Sequence, residues 1–115
     1  MQNYLNLIYE EEREILPYCI ATGVGIIPWS LVARGVLARP WNSERTLWEE
    51  TDAYISALID RESAADEAVV GRVEEVANKR GVPMAAIASA WVLTKGANHI
   101  LGLSSIEEST RPLKR

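Results

Sequence analysis

The sequence predicts an α/β fold in which short apolar strands alternate along the chain with amphipathic helices. Residues 24–27 form a short apolar run that follows a glycine and precedes a turn at Pro28, which is typical of a buried strand. Residues 64–79 instead carry valines at a helical spacing, and Arg80 and Gly81 end that pattern. The predicted order is therefore strand, helix, strand, irregular segment, two helices, strand and a helical stub, as in α/β proteins.

Length and composition favour a single soluble globular domain. The chain has 115 residues, of which 48% are hydrophobic and 24% are charged, so one apolar core is expected. The net charge is −4 and no basic block occurs, which argues against a surface for nucleic acid. No apolar run approaches the roughly 20 residues of a membrane span, so no membrane partner is expected.

The expected compartment is the cytoplasm. The residues after Met1 are polar and soon acidic, so the sequence predicts no signal peptide and a chain that begins inside its first strand. The only cysteine, Cys19, cannot form an internal disulfide, which suits a reducing compartment. Cys19 lies among Ile15, Leu16 and Ile20, so a buried structural thiol is favoured over a nucleophile.

The first part of the chain predicts two strands around one helix. Residues 1–8 mix apolar and amide positions and are interpreted as a strand, and a helix follows over residues 10–22. The acidic start of this helix suits the positive end of the helix dipole, and Gly23 ends the helix. Pro17 removes one N–H within the helix and is expected to shorten or kink it. The second strand is predicted over residues 25–29.

An irregular segment separates this part from the remaining helices. Residues 40–62 mix tryptophans with polar stretches and predict a loop that contains one or two short helices. A long insertion of this kind is either a lid over a ligand or a cover for apolar surface, and the sequence leaves both alternatives open.

The last part of the chain predicts two helices and a third strand. Residues 64–79 and residues 84–94 each carry one apolar face at helical spacing. A strand is predicted over residues 99–103, after which Ser104 and Ser105 are placed to cap a helical stub.

The loop after the second strand carries side chains that suit a phosphate and a flat ring. Loops at the carboxyl ends of parallel strands are where α/β proteins bind their ligands. Arg34, the hydroxyl of Ser30 and backbone N–H groups suit a phosphate, and the indole of Trp29 suits a stacked ring. From these residues alone, a buried strand followed by a solvated loop is the simpler interpretation.

Residues 24–35 resemble the segment usually written GVGVIPWSPLARG in aldo-keto reductases. The similarity continues in the same order along nearly the whole chain, which makes it far more specific than one motif. Residues 1–14 resemble MQNxYNLIYREEERE, residues 73–85 resemble RVEEIAxKRGVSMA, residues 87–93 resemble QIALAWVL, and residues 100–102 resemble PIVG. The resemblance is to the branch that contains aryl-alcohol dehydrogenases and the ketone reductases of secondary-metabolite pathways.

The resemblance implies the C-terminal portion of a (β/α)8 TIM barrel. Residues 1–115 are then a partial, NADP-binding aldo-keto reductase domain with about three parallel strands and their helices, and the barrel is incomplete. A complete barrel takes about 250 residues, so more than half of it is missing. The family tyrosine that donates a proton, and the lysine that tunes it, belong to earlier strands. We therefore assign no catalytic residue and no metal ligand, and His99 is interpreted as structural or exposed.

The resemblance implies that the cofactor half of the family site is present. Gln2 matches the glutamine that holds the nicotinamide carboxamide, and Trp29 matches the aromatic residue that packs on the nicotinamide ring. Without the resemblance, Gln2 and Trp29 are interpreted as a packing pair in the barrel interior. The other matching positions surround the phosphates: Ser30, Val32, Arg34 and Gly35 at the pyrophosphate, and Gly102, Ser104 and Ser105 at the adenosine phosphate.

Two functions are therefore expected. The family function is NADPH-dependent reduction of a small carbonyl compound, an aldehyde or a ketone of secondary metabolism, with the isolated chain inactive. The alternative is a non-catalytic remnant or binding module that associates with a complete barrel or with itself, because side chains such as Ile27 and Leu101 would meet water. The chain departs from the family pattern at Leu5, Leu31 and Pro83, where tyrosine, proline and serine are usual.

Overall fold

The structure, a computed structural model, describes residues 1–9, 13–43, 64–103 and 106. Its elements are β1 (Gln2–Tyr4), α1 (Ile15–Thr22), β2 (Ile27–Trp29), a 3₁₀ segment (Ala33–Ala38), α2 (Ala64–Arg80) and α3 (Met84–Thr94). The alternation of strands and helices confirms the predicted α/β class. Of residues 40–62, where one or two short helices are predicted, residues 40–43 are not helical and the rest lie outside the described residues, as do Ser104 and Ser105, which are predicted to cap the stub.

The two strands pair in parallel, and α1 forms the connection between them. A helix in the connection lets the chain return to the same end of the sheet before the second strand begins. The backbone N–H of Ile27 donates to the carbonyl oxygen of Met1 at 2.8 Å. The register joins Gln2 with Ile27, Asn3 with Pro28, and Tyr4 with Trp29.

The side chain of Asn6 ends β1 well before the predicted boundary at residue 8. Its Oδ1 accepts hydrogen bonds from the backbone N–H groups of Ile8 and Tyr9, each at 3.0 Å, which turns the chain back. Its Nδ2 donates to the carbonyl oxygen of Ser30 at 3.2 Å, directly after β2. Because Asn6 is fully buried, one carboxamide ties the carboxyl ends of both strands together.

The third strand predicted over residues 99–103 is wrong, because these residues are not in a strand. The segment does start beside β2, where the N–H of Asn98 donates to the carbonyl oxygen of Ile26 at 2.9 Å. The N–H groups of successive residues in a strand point to opposite edges, and the N–H of Ile27 points towards β1. Position 28 therefore faces the Asn98 segment, but Pro28 has no N–H with which to form the next rung.

α1 begins at Ile15, later than the predicted start at residue 10. Pro17 gives the physical reason, because a proline is tolerated in the first turn of a helix but disrupts its interior. The first turn consequently holds no acidic side chain, and residues 10–12 lie outside the described residues. Gly23 ends the helix as predicted, with a left-handed φ of 73°.

α2 and α3 form where the sequence predicts them, and both pack on the 3₁₀ segment. The first apolar cluster joins these three elements and contains Ala33, Val36, Leu37, Val70, Val73, Ala77, Met84 and Ala88. The second apolar cluster lies between the strands, α1 and α3 and contains Leu5, Leu16, Cys19, Ile26, Leu31, Val92 and Ala97. The expected burial of Cys19 is confirmed, and its thiol is a core group.

The two faces of the sheet differ in exposure. Asn3 and Pro28 lie on one face and are buried, whereas Ile27 and Trp29 lie on the other and are each 40% exposed. Leu101 is 46% exposed. The expectation that barrel-interior side chains meet water in this chain is therefore confirmed for Ile27 and Leu101. None of the helices in the described part of the chain has the length and apolar character needed to span a bilayer.

Replacing Asn6 by alanine should destabilise the fold substantially. The substitution removes three hydrogen bonds and leaves the N–H groups of Ile8 and Tyr9 without their acceptor. At about 1 kcal/mol for each net hydrogen bond, we expect a loss of about 3 kcal/mol in the free energy of unfolding. Urea unfolding followed by circular dichroism, at one fixed protein concentration, measures this loss.

Asn78→Ala is the matched control, because Asn78 is exposed on α2 and alanine is a better helix former. We expect its midpoint to stay within the error of the wild type or to rise slightly. An Asn6→Ala midpoint equal to that of the control would show that the carboxamide does not hold the two strand ends together.

Candidate cofactor-binding site

The loop after β2 contains three non-glycine residues with a left-handed backbone. The φ angles are 58° at Ser30, 48° at Ala33 and 53° at Arg34, and Gly35 follows at 103°. Each non-glycine residue in this region costs on the order of 1–3 kcal/mol and persists only where the surroundings impose it. Here Ala33 and its neighbour Leu31 are buried in the two clusters, which holds the loop in shape. Strain of this kind concentrates at ligand-binding loops.

The hydroxyl oxygen of Ser30 is buried and has no hydrogen-bond partner among the described residues. The main-chain carbonyl of the same residue is well used, because it accepts from Asn6 Nδ2 and from the N–H of Ala33 at 2.9 Å. A buried hydroxyl without a partner costs free energy that a ligand oxygen would recover. The Ser30 hydroxyl is therefore a buried polar group to which the described residues give no hydrogen bond.

Two guanidinium groups belong to this loop. Arg34 is exposed, and Arg39 follows the 3₁₀ segment. Nη2 of Arg39 lies 3.8 Å from the position that a Cβ on Gly35 would take, so the guanidinium lies over bare backbone. A Cβ at this distance would make only an ordinary contact, so the reason for glycine is the φ of 103°, which L-residues rarely adopt. A guanidinium beside a partly exposed glycine backbone suits an anionic oxygen.

An aromatic row lies next to the loop on the exposed face of the sheet. The ring centroids of Tyr4 and Trp29 are 4.8 Å apart at an interplanar angle of 62°. The rings of Tyr4 and Tyr9 are 5.2 Å apart at 68°. Gln2 lies on the same face, diagonal to Trp29, because the register places it opposite Ile27. The polar amide and the aromatic rings thus border the same open surface.

The structure places most of the predicted cofactor positions on the two strands and in the loop that follows β2. Trp29 and Ser30 end β2, Arg34 and Gly35 form the loop, and Gln2 lies on the neighbouring strand. The side chains of Gln2 and Trp29 are exposed rather than packed in a core. Their roles towards a cofactor stay predictions.

The other predicted positions differ from this group. Val32 packs against both apolar clusters, and its carbonyl accepts from the N–H groups of Gly35 at 3.0 Å and Leu37 at 3.1 Å. Its side chain is structural, so a ligand would meet only its backbone. Gly102 is exposed and lies in the segment without a strand, while Ser104 and Ser105 lie outside the described residues. His99 is partly buried, which suits its structural interpretation.

Three residues that shape the site were not recognised in the sequence: Tyr4, Asn6 and Arg39. Tyr4 follows Gln2 by two positions, and strand alternation alone places both on one face. Asn6 was interpreted as part of the strand, although asparagine favours turns that its own side chain closes. Arg39 carried no signal, since its approach to Gly35 depends on the kink within the 3₁₀ segment.

The residues present fit the anionic part of a dinucleotide. The hydroxyl of Ser30, which has no partner among the described residues, the backbone of Gly35 and the guanidinium of Arg39 beside it are groups of the kind that bind a pyrophosphate. The exposed indole beside them fits a planar ring.

Comparisons with known proteins show the family of the chain. The sequence model of the Aldo/keto reductase family matches residues 1–114. The chain is 56% identical over 108 residues to versiconal hemiacetal acetate reductase of Aspergillus parasiticus, a match that covers 91% of this chain and 32% of that protein. It is 51% identical over 109 residues to a Schizosaccharomyces pombe protein named as an aryl-alcohol dehydrogenase, covering 93% of this chain and 33% of the relative.

A third relative extends the comparison. The aldo-keto reductase AMT2 of Alternaria alternata is 43% identical over 108 residues, which are 93% of this chain and 29% of that protein. The chain thus spans about a third of the length of the curated relatives it matches. Members of the matching family generally use a nicotinamide dinucleotide as hydride donor. Because the family match extends over nearly every residue, this chain belongs to the aldo/keto reductase family.

Proposed function

We propose that the chain is the cofactor-binding portion of an NADPH-dependent carbonyl reductase. One observation carries the proposal: the loop after β2 holds a strained backbone, and the buried hydroxyl of Ser30 in this loop has no hydrogen-bond partner among the described residues. Family membership supports the reaction class, and the dinucleotide supplies the hydride when it is bound. The proposed substrate is an aldehyde or ketone of secondary metabolism, and the name of one relative, versiconal hemiacetal acetate reductase, supports a compound of related chemistry.

The residues divide into a ring-binding group and a phosphate-binding group. In the first, the amide of Gln2 exchanges hydrogen bonds with the nicotinamide carboxamide, and the indole of Trp29 packs on the ring. In the second, Ser30 and Arg34 donate to the pyrophosphate, and the absence of a side chain at Gly35 lets the phosphate approach the backbone. Two further groups complete the site: the backbone of Val32 beside the pyrophosphate, and Gly102, Ser104 and Ser105 around the adenosine phosphate.

The proton for the reduction has to come from outside this chain. The family's tyrosine and lysine belong to strands that precede this portion of the barrel, so this chain binds and orients the donor only. The proposed compartment is the cytoplasm, which the unpaired thiol of the buried Cys19 suits.

Removing the guanidinium of Arg34 should weaken NADPH binding. We expect wild-type binding to be weak, because the opposing barrel wall is missing, and Arg34→Ala to reduce it by about tenfold, as loss of a charge-assisted hydrogen bond does. Titration of NADPH fluorescence measures both affinities.

Arg72→Ala is the matched control, because it removes the same charge at a position far along the chain from the loop. Arg72 is exposed on α2, where it pairs with Glu75. Its affinity for NADPH should equal that of the wild type. Tight binding that Arg34→Ala leaves unchanged would reject the assignment of this loop to phosphate.

The isolated chain should show no reductase turnover. General acid catalysis commonly contributes about 10²–10⁴-fold, and the residue that supplies it is absent. NADPH oxidation with an aromatic aldehyde, measured on the purified chain, tests this expectation. Turnover that survives rigorous purification, and that Trp29→Ala abolishes, would contradict it.

A second candidate function, as a binding module that associates with itself, is favoured by the open side of the sheet. Ile27 and Trp29 are each 40% exposed on a face that a barrel would cover. The N–H groups of Gln2 and Tyr4 alternate with those that face β2, so among the described residues this edge is available to another strand.

Self-association should therefore depend on Ile27. Sedimentation velocity is expected to show oligomers of the wild type, and Ile27→Asn should shift the distribution towards the monomer by removing apolar area from the open face. Leu93→Asn, at a leucine that is 53% exposed on α3, is the control and should leave the distribution unchanged. A compact wild-type monomer with a sharp, cooperative thermal transition would refute this function.

A further inference from the structure

The ring of Tyr4 makes a close edge contact with that of Trp29. Trp29 belongs to the proposed cofactor site, but Tyr4 has no role in that site so far. The register places the two residues opposite each other on adjacent strands, and their centroids are 4.8 Å apart at 62°. This is the T-shaped geometry that aromatic pairs prefer. Rotation of the indole about its side-chain torsions would break the contact.

Tyr4 is in turn fixed from its other side. Its ring meets that of Tyr9 at 5.2 Å and 68°. Tyr9 reaches this position because the chain reverses after β1, where its backbone N–H donates to Oδ1 of Asn6 at 3.0 Å. The row from Tyr9 through Tyr4 to Trp29 therefore starts at a fully buried carboxamide and ends at a partly exposed indole.

The location of this row matters for the ring-binding group. Trp29 is directly followed by Ser30, whose carbonyl oxygen is bound by the same Asn6 side chain. The orientation of the indole and the position of the phosphate loop are thus set from one anchor. A ring held in one orientation before a ligand arrives loses less conformational entropy on binding, which raises affinity without a new contact.

We propose that Tyr4 is a positioning residue that holds the indole of Trp29 in the orientation that receives the nicotinamide ring. The inference rests on the proposed function and adds to it a residue that need not touch the cofactor. Tyr4 acts through its ring, because the observed contact is between rings. Phenylalanine at position 4 should therefore preserve the orientation of Trp29, whereas leucine should lose it.

Fluorine NMR of the chain labelled with 5-fluorotryptophan tests the proposal. Trp29→Phe identifies the resonance of Trp29 among the four tryptophans. We expect Tyr4→Leu to move this resonance and to weaken NADP⁺ binding, read from the same resonance up to millimolar concentrations, by about three- to tenfold. Tyr4→Phe should restore both the position of the resonance and the affinity.

Tyr18→Leu is the control, since Tyr18 is 65% exposed on α1, and it should change neither quantity. Far-ultraviolet circular dichroism shows that each variant is folded. An unmoved Trp29 resonance in Tyr4→Leu, or unchanged affinity despite a moved resonance, would overturn the role of Tyr4 and leave the proposed function intact. A wild-type Trp29 resonance that does not respond to millimolar NADP⁺ would overturn the proposed function and this role with it.

Discussion

The hydrogen bonds of the Asn6 carboxamide are the interaction on which the carboxyl end of the sheet depends. The carboxamide oxygen accepts hydrogen bonds from the backbone N–H groups of Ile8 and Tyr9, and these bonds reverse the chain after β1. Its nitrogen donates to the carbonyl oxygen of Ser30 after β2. Parallel strands bring their carboxyl ends together but do not fix the loops that follow them. A buried amide between those loops supplies that constraint, because breaking any of its hydrogen bonds would leave a buried donor or acceptor without water to replace its partner. The strained backbone from Ser30 to Gly35 can persist for the same reason.

Pro28 limits the sheet to two strands in the described part of the chain. The N–H of Asn98 reaches Ile26, but the following rung has no donor on β2, so the segment leaves the sheet. A third strand that lacks one rung depends on pairing along its opposite edge. In a closed barrel a further strand would provide that pairing.

The sequence predicted the helices that carry an uninterrupted apolar period and failed where single side chains redirect the backbone. α2 and α3 have no proline within them, and their bounds agree closely with the prediction. The late start of α1 could be foreseen only in part, because Pro17 fits a first turn as well as a kink. The short β1 depends on Asn6 binding its own turn, and the left-handed φ of Ala33 depends on tertiary packing. The sequence predicted the position of the loop after β2, but it did not predict that Asn6 anchors this loop or that Tyr4 packs against Trp29 beside it.

The loop after β2 contains several features that lower stability by themselves. Residues 30–35 include three non-glycine residues with a left-handed backbone and one buried hydroxyl that has no partner among the described residues. If stability alone shaped the loop, glycine at positions 33 and 34 would relieve the strain, and alanine at position 30 would remove the orphaned hydroxyl. The strain is instead maintained by packing Leu31 and Ala33 into separate apolar clusters. The stability of the core thus holds the loop in a shape that is unfavourable by itself, which is the shape that the proposed phosphate site requires.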